Sequence, residues 1–176
     1  GKREWSHPTL FNLMFKTFVG PTEESANIVY LRPETAQAMF VDFPLIATTS
    51  RKRLPFGVGQ IGKAFRNEIT PGNFIFRTRE FEQMEIEYFF DPEKHPWNDV
   101  FESWKSEMEW WMRMVGMDMD HVHPTEIPEG DRAHYSSRTI DFEFDYPFGR
   151  KELFGLAYRT DYDLARHAEF SRRDMM

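Results

Sequence analysis

The sequence has no cysteine, no long apolar run and no excess of positive charge, and each absence excludes a class of protein. Without cysteine, the chain forms neither disulfides nor thiolate metal sites, and we expect a reducing, cytoplasmic location. No apolar run approaches the roughly 20 residues that span a bilayer, so we expect no membrane partner. The net charge of −7 argues against a global attraction to nucleic acid, although Arg51-Lys52-Arg53 forms a local basic patch.

What the sequence does contain is enough apolar material for a packed core. Hydrophobic residues make up 40% of the 176 residues and aromatic residues 16%, with 18 phenylalanines. This length suits one domain or a large piece of one. We therefore expect residues 1–176 to form part of a single domain.

The periodicity of apolar residues predicts strands that alternate with helices. Trp97, Trp104 and Trp111 belong to an apolar stripe at helical spacing, which Gly116 ends. Several strands with helices between and after them favour an α+β fold with an antiparallel sheet flanked by helices. The predicted strands are 28–32, 55–67, 74–90, 140–146 and 153–159. The predicted helices run from Pro33 to about 43, from 97 to 115 and from 160 through His167. Residues 1–27 and 117–138 are expected to be loop-rich or irregular.

The segment from Phe65 to Glu87 is the most informative part of the chain. It is predicted to form a hairpin with a short Thr-Pro-Gly turn, with Arg66 and Glu68 on one face of its first strand. Its second strand alternates, which places a ring, an amide and two carboxylates on one face and a core stripe on the other. The first set is Phe81, Gln83, Glu85 and Glu87, and the second is Met84, Ile86 and Tyr88.

Such a face suits a ligand that carries an anion, a flat ring and an ammonium group. Arginine holds phosphate by a bidentate fork, and a flat base stacks on an aromatic ring. Arg66, Arg77, Arg79 and Phe81 could therefore bind a nucleoside triphosphate. The alternative for Arg66 and Glu68 is a cross-strand ion pair on a solvated sheet face, which would contribute little stability. The Gly-rich phosphate motifs of P-loop and Rossmann proteins are absent from the sequence, which excludes these two modes of nucleotide binding.

Other polar clusters have simpler explanations. Asp141, Glu143 and Asp145 alternate with aromatic residues, and a solvated outer sheet face accounts for them. His121 and His123 lie beside Pro124 in a predicted loop, where a metal site is disfavoured.

Several long, ordered motifs resemble the catalytic core of homodimeric glycyl-tRNA synthetase, a class II aminoacyl-tRNA synthetase. The resemblance covers most of residues 10–168. The motifs are Arg32-Pro33-Glu34-Thr35-Ala36-Gln37, Leu54-Pro55-Phe56-Gly57, the run from Gln60 to Pro71, the run from Arg77 to Tyr88, and shorter matches at Asn12 to Phe15, His134-Tyr135 and Arg159 to Leu164.

The resemblance implies a reaction in which ATP activates glycine to glycyl-adenylate, after which the glycyl group moves to tRNA(Gly). It assigns Arg66 to the ATP α-phosphate, as the catalytic arginine. It assigns Glu68 to the adenine side, Arg77 to the γ-phosphate and Phe81 to stacking on adenine. It assigns Glu34 and Glu85 to the glycine ammonium, Arg159 to the glycine carboxylate and Glu152 to the same pocket. Mg²⁺ is expected with ATP, with Glu152 or an acid at 141–145 as possible ligands.

The sequence also departs from the family pattern. Ala38 stands where the family usually has Gly, and Phe154 and Tyr158 stand where bacterial members more often have Glu and Asn. Class motifs 1 and 3 and an anticodon-binding domain are not found in the sequence. We therefore expect an incomplete catalytic core with weak or no activity by itself, from a whole protein that is a homodimer.

The principal alternative is a non-catalytic relative that binds nucleic acid or a partner, such as the synthetase-like accessory subunit of a mitochondrial DNA polymerase. Such a protein is expected to lose the arginines and pocket acids. Their presence here, including Arg66, Glu85 and Arg159, favours the enzyme.

Overall fold

The computed structural model describes residues 10–175, and it confirms an α+β chain with antiparallel sheets. Two compact units are formed, one by the described residues up to Met39 with Val58–Glu87, and one by Phe40–Gly57 with the described residues from Tyr88 onwards. The strands are β1 (Lys16–Phe18), β2 (Ile28–Tyr30), β3 (Phe56–Phe65), β4 (Glu80–Phe89), β5 (Val122–Glu126), β6 (Arg138–Tyr146) and β7 (Gly149–Tyr158), and the helices are α1 (Ala36–Thr49), α2 (Trp97–Met114) and α3 (Tyr162–Ser171).

The first unit consists of two small ladders joined by main-chain hydrogen bonds. β1 pairs antiparallel with β2, and β3 pairs with β4. The segment after β2 lies along the end of β3, since the Phe65 N–H donates to the Arg32 carbonyl at 2.9 Å. Arg32 Nε in turn donates to the Lys63 carbonyl at 2.7 Å. Gly62 makes this approach possible, because a Cβ there would collide with the Arg32 guanidinium.

The prediction of which β4 face is the core was wrong. Met84 is 59% exposed and Ile86 is 53% exposed, whereas Phe81, Gln83, Glu85 and Glu87 are half-buried. Among residues 10–175 this sheet has two strands, so an apolar stripe on it is buried only where another layer covers it. Within the described residues, the segment around Thr35 lies over the polar face instead.

The hairpin connection is also longer than predicted. β3 ends at Phe65, so Arg66 and Glu68 follow the strand rather than sharing one of its faces. The connection from 66 to 79 is closed by the Arg66 N–H, which donates to the Arg79 carbonyl at 3.0 Å, and by a bridge between Gly72 and Arg77. These bonds still bring the basic residues of both arms together.

The second unit is built around a three-stranded antiparallel sheet in the order β5-β6-β7. α2 packs on this sheet mainly through Phe101 and Met112, whereas Trp97 and Trp111 of the predicted stripe are 38% and 43% exposed. The helix ends where Gly116 adopts a φ of +83°. The Gly116 and Met117 N–H groups bond back to the carbonyls of Arg113 and Met112, which is the usual glycine-terminated helix end. The buried core consists of Phe101, Met112, Val122, Ile140 and Phe142.

α1 begins later and ends later than predicted, since it runs through Pro44 to Thr49. Proline removes one helical hydrogen bond, but packing on both sides of it can hold a helix together. Phe43 is buried, and its ring lies 5.7 Å from that of Phe56 and 4.4 Å from that of Phe89. These ring contacts outweigh the local tendency of Pro44 to end the helix.

β5 was missed because residues 117–138 were predicted to be irregular. Pro124 lies in the middle of this strand, opposite Phe142. A strand tolerates proline when it lies at the edge of a sheet, where one side of its backbone has no partner strand. The predicted strands at β6 and β7 are confirmed, and α3 continues past His167 to Ser171.

The two aromatic departures from the family pattern have packing partners in the second unit. The Phe154 ring lies 5.0 Å from that of Phe142, and the Tyr158 ring stacks at 4.8 Å on that of Trp97. Both side chains pack against the core cluster. Among residues 10–175, no helix has both the length and the apolar character needed to cross a membrane.

Phe142→Ala is expected to destabilise the second unit by about 3–5 kcal/mol, because it removes a fully buried ring from the core. Phe170, which is 80% exposed, supplies the matched control, and Phe170→Ala should stay within about 0.5 kcal/mol. Urea unfolding followed by tryptophan fluorescence measures both. Equal effects of the two substitutions would contradict this description of the core.

Asp145 should make folding stability depend on acidity. His123 at 2.7 Å and Arg150 at 3.0 Å lower the pKa of the Asp145 carboxyl to about 2. A lowered carboxyl pKa stabilises the fold above the unfolded pKa of about 3.9, and this contribution is lost as the pH falls towards 2. The stability difference between the unsubstituted protein and Asp145→Asn should therefore shrink from pH 4 to pH 2. Asp120→Asn replaces an exposed acid that has no ion pair with residues 10–175, and it serves as the control for the loss of one negative charge. An equal change with pH for both substitutions would contradict this account of Asp145.

Candidate active site

Arg66 and Phe81 lie together at the end of the hairpin in the first unit. The Arg66 guanidinium carbon lies 5.2 Å from the centroid of the Phe81 ring. Arg66 Nε donates to the Pro33 carbonyl at 3.2 Å, which fixes one edge of the guanidinium. Its two terminal nitrogens make no hydrogen bond to residues 10–175. The arginine is thus held in place with its fork still available, next to an aromatic ring.

Glu85 connects β4 to the start of α1. Its Oε2 accepts the Thr35 N–H at 2.8 Å, and it also accepts the Thr35 hydroxyl. Thr35 is completely buried and immediately precedes α1, where the first N–H groups of a helix have no partner within the helix. Glu85 therefore acts as a capping carboxylate supplied by another strand. Glu34 lies beside it in sequence and accepts a hydrogen bond from Gln37 at 3.2 Å.

Gln83 is the residue in this unit whose significance the sequence underestimated. Its Oε1 is buried and has no hydrogen-bond partner among the described residues. A buried acceptor without a donor is unfavourable and commonly marks the place of a water or ligand. Alternation along β4 places Gln83 on the same face as Phe81 and Glu85, which is the only sequence signal that could have singled it out.

The remaining predicted nucleotide residues lie in the hairpin connection. Arg77 is exposed, and Glu68 is half-buried. The Glu68 carbonyl accepts a hydrogen bond from Arg79 Nε at 3.1 Å. Neither Arg66 nor Glu68 forms an ion pair with residues 10–175. The structure brings Arg66 and Phe81 together, and Glu68 and Arg77 lie in the adjoining connection. Glu34 directly precedes Thr35, and Glu85 is bonded to Thr35 at the start of α1.

Arg159 lies in the second unit and forms a bidentate ion pair. Its Nε and one terminal nitrogen donate to the two oxygens of Asp163 at 2.7 and 3.0 Å. Asp163 is only 6% exposed, and the guanidinium lies 3.7 Å from the centroid of the Tyr135 ring. The sequence analysis did not identify this partner, since it placed Asp163 only within the helix predicted from 160 through His167.

Glu152 lies in the same unit, next to Asp141. Carboxylate oxygens of both residues come within 4 Å of the point that a Cβ on Gly155 would occupy. Burial raises the pKa of the Asp141 carboxyl, and the neighbouring charge of Glu143 raises it further. The predicted solvated face is therefore partly buried at Asp141. Glu143 accepts a hydrogen bond from the Thr125 hydroxyl at 2.8 Å.

A magnesium site can be tested against these acids. Among residues 10–175, no group of three acidic or histidine side chains is arranged to hold a metal ion. Magnesium bound with nucleotide phosphates usually needs only one or two protein carboxylates. Asp145 is engaged by His123 and Arg150, and Asp141 and Glu152 lie close to each other beside Gly155.

Comparison with known proteins agrees with this chemistry. The family model described as tRNA synthetase class II core domain (G, H, P, S and T) matches residues 17–170. The chain is 53% identical over 175 residues to the glycine--tRNA ligase of Geobacillus kaustophilus (strain HTA426), which covers 99% of this chain and 37% of the relative. It is 51% identical over 171 residues to the glycine--tRNA ligase of Staphylococcus aureus (strain JH9), covering 97% of this chain and 36% of the relative.

The chain thus spans little more than a third of the length of these curated relatives. The family match, in contrast, covers most of this chain and includes the residues of both units discussed above. The chain belongs to the family of class II tRNA synthetase core domains.

Proposed function

We propose that this chain is the core of a glycine--tRNA ligase, which activates glycine with ATP and transfers it to tRNA(Gly). The observation that carries the proposal is the arrangement of Arg66, anchored through Nε and lying over Phe81 with its terminal nitrogens unbonded. Supporting it, the most similar relatives reported above are glycine--tRNA ligases. The whole protein would work as a cytoplasmic homodimer.

In the proposed site, the nucleotide lies against the hairpin end. Arg66 and Phe81 are close enough for one ATP molecule to place its adenine on the ring and its α-phosphate on the guanidinium fork. Glu68 would contact the adenine side, and Arg77, which is exposed in the hairpin connection, would reach the γ-phosphate. Asp141 and Glu152 would hold Mg²⁺, which would neutralise part of the phosphate charge when bound.

Glycine would be bound by its two charged ends. Glu34 and Glu85 take the ammonium group, Gln83 offers it a further acceptor, and Arg159 takes the carboxylate. A pocket cannot grip a missing side chain, so selectivity for glycine must come from excluding larger amino acids. Glu85 suits that role because its bonds to buried Thr35 hold the carboxylate in place.

The chemistry then needs no side-chain base. The glycine carboxylate is already ionised at neutral pH, and one of its oxygens attacks the α-phosphorus while the bond to pyrophosphate breaks. Negative charge grows on the α-phosphate oxygens in the transition state. A guanidinium held in place beforehand stabilises this charge with little reorganisation, so positioning and electrostatics carry the reaction.

Arg66→Ala should lower glycine-dependent ATP–pyrophosphate exchange by about 100- to 1000-fold, the usual effect of removing one transition-state donor. The assay uses the Geobacillus kaustophilus relative with its aligned 175 residues replaced by this chain. Arg113→Ala removes an exposed arginine without an ion pair and should leave the rate unchanged. Equilibrium dialysis of ATP against the 176-residue chain supplies a second readout, in which Arg66→Ala weakens binding. Near-normal exchange by Arg66→Ala would show that its role is wrongly assigned.

The 176-residue chain by itself should show weak or no exchange activity, because the motifs that complete the site in the family are not found in its sequence. Pyrophosphate exchange with and without glycine measures this directly. Robust glycine-dependent exchange by the chain alone would contradict the expectation of an incomplete core, although it would agree with the proposed reaction.

A further inference from the structure

One segment of this acidic chain carries a concentrated positive charge, of which the proposed reaction uses only Arg66. Residues 43–67 contain five arginines and lysines and no acid. This stretch has a net charge of +5, and because the whole chain carries −7, the remaining residues carry −12. Such an asymmetry is typical of a contact with a polyanion.

Within this stretch, Lys63 and Arg66 already have partners. Lys63 pairs with Glu80, and Arg66 donates to Pro33. The other three cations are Arg51, Lys52 and Arg53, which we call the basic turn. All three are exposed, and none forms an ion pair or side-chain hydrogen bond with the described residues.

The basic turn lies directly after α1, in the second unit. Arg51 has a φ of +51°, and the Lys52 N–H donates to the Ala47 carbonyl at 3.1 Å, so the backbone turns sharply at the helix end. A cation near a helix C-terminus interacts favourably with the helix dipole, but this effect falls off within the last turn. The dipole can account for one of these cations, and three in succession need another reason.

We infer that the basic turn binds the phosphate backbone of RNA, and that in the proposed function it is a contact for the tRNA. Phosphate backbones are bound mainly by Arg, Lys and the hydroxyls of Ser and Thr. Ser50 precedes the three cations and is also exposed. This inference rests on the proposed function for the identity of the RNA, but the surface is defined by its own charge and exposure.

The test replaces the basic turn by Arg51→Gln, Lys52→Gln and Arg53→Gln together. A matched control variant carries Arg113→Gln, Lys151→Gln and Arg173→Gln, which remove the same charge from exposed residues without ion pairs. Fluorescence anisotropy of a labelled tRNA(Gly) transcript measures binding between about 50 and 200 mM salt. Circular dichroism and thermal unfolding verify that both variants are folded.

Each lost phosphate contact should reduce the salt dependence of log K by about 1, so the basic-turn variant should lose a slope of about 3. A fourfold rise in salt would then weaken its binding about 60-fold less than it weakens binding of the unsubstituted chain. The control variant should keep most of the slope. An equal loss of slope in both variants, or no loss of slope in either, would overturn the inference.

Two further measurements separate this inference from others. Binding to phosphatidylcholine–phosphatidylserine vesicles should not depend on the basic turn, and loss of vesicle binding with RNA binding intact would overturn an RNA role. Pyrophosphate exchange precedes any step with tRNA, so the basic-turn variant of the chimaeric enzyme should exchange normally. If exchange is absent even without the substitutions but RNA binding depends on the basic turn, the proposed function fails and the RNA contact stands.

Discussion

The hydrogen bonds from Thr35 to Glu85 are the constraint on which the candidate site depends. Thr35 is fully buried at the start of α1, and Glu85 reaches it from β4, 50 residues away in sequence. A buried N–H left without a partner costs roughly 1–3 kcal/mol, so a carboxylate at this position is strongly favoured. The same bonds fix where α1 begins, directly after Thr35, and where Pro33 offers its carbonyl to Arg66. The contact between Thr35 and Glu85 therefore stabilises both the start of α1 and the candidate site.

Two arginines of the first unit are oriented by the backbone rather than by an ion pair. Arg32 and Arg66 each donate Nε to a backbone carbonyl rather than to an acid. A guanidinium bound in this way is oriented but keeps its full charge, which an ion pair would offset. Arg159 shows the contrary case, since its bidentate pair with Asp163 offsets its charge. Arg66 and Arg159 thus differ in how much of their charge an acid already offsets.

Sequence alone predicted the elements whose signals are local. The stripe of α2 and the glycine at its end were sufficient for its bounds, and alternation was sufficient for β6. The errors came from information that is not local. Pro44 was outweighed by ring contacts of Phe43 with Phe56 and Phe89, and Pro124 is tolerated because β5 lies at an edge. The core face of β4 could not be chosen by parity, because parity separates two faces without showing which one another layer covers.

The same limit applies to the site. Parity correctly grouped Phe81, Gln83 and Glu85 on one face of β4, and the motifs pointed to Arg66, but neither showed that Glu85 already has a partner in Thr35. A carboxylate whose Oε2 accepts two hydrogen bonds presents its other oxygen in a fixed direction. For a substrate as small as glycine, this fixed direction matters more than the charge itself, because only a rigid wall can exclude a methyl group. A residue that stabilises the fold is then also the one best suited to select the substrate.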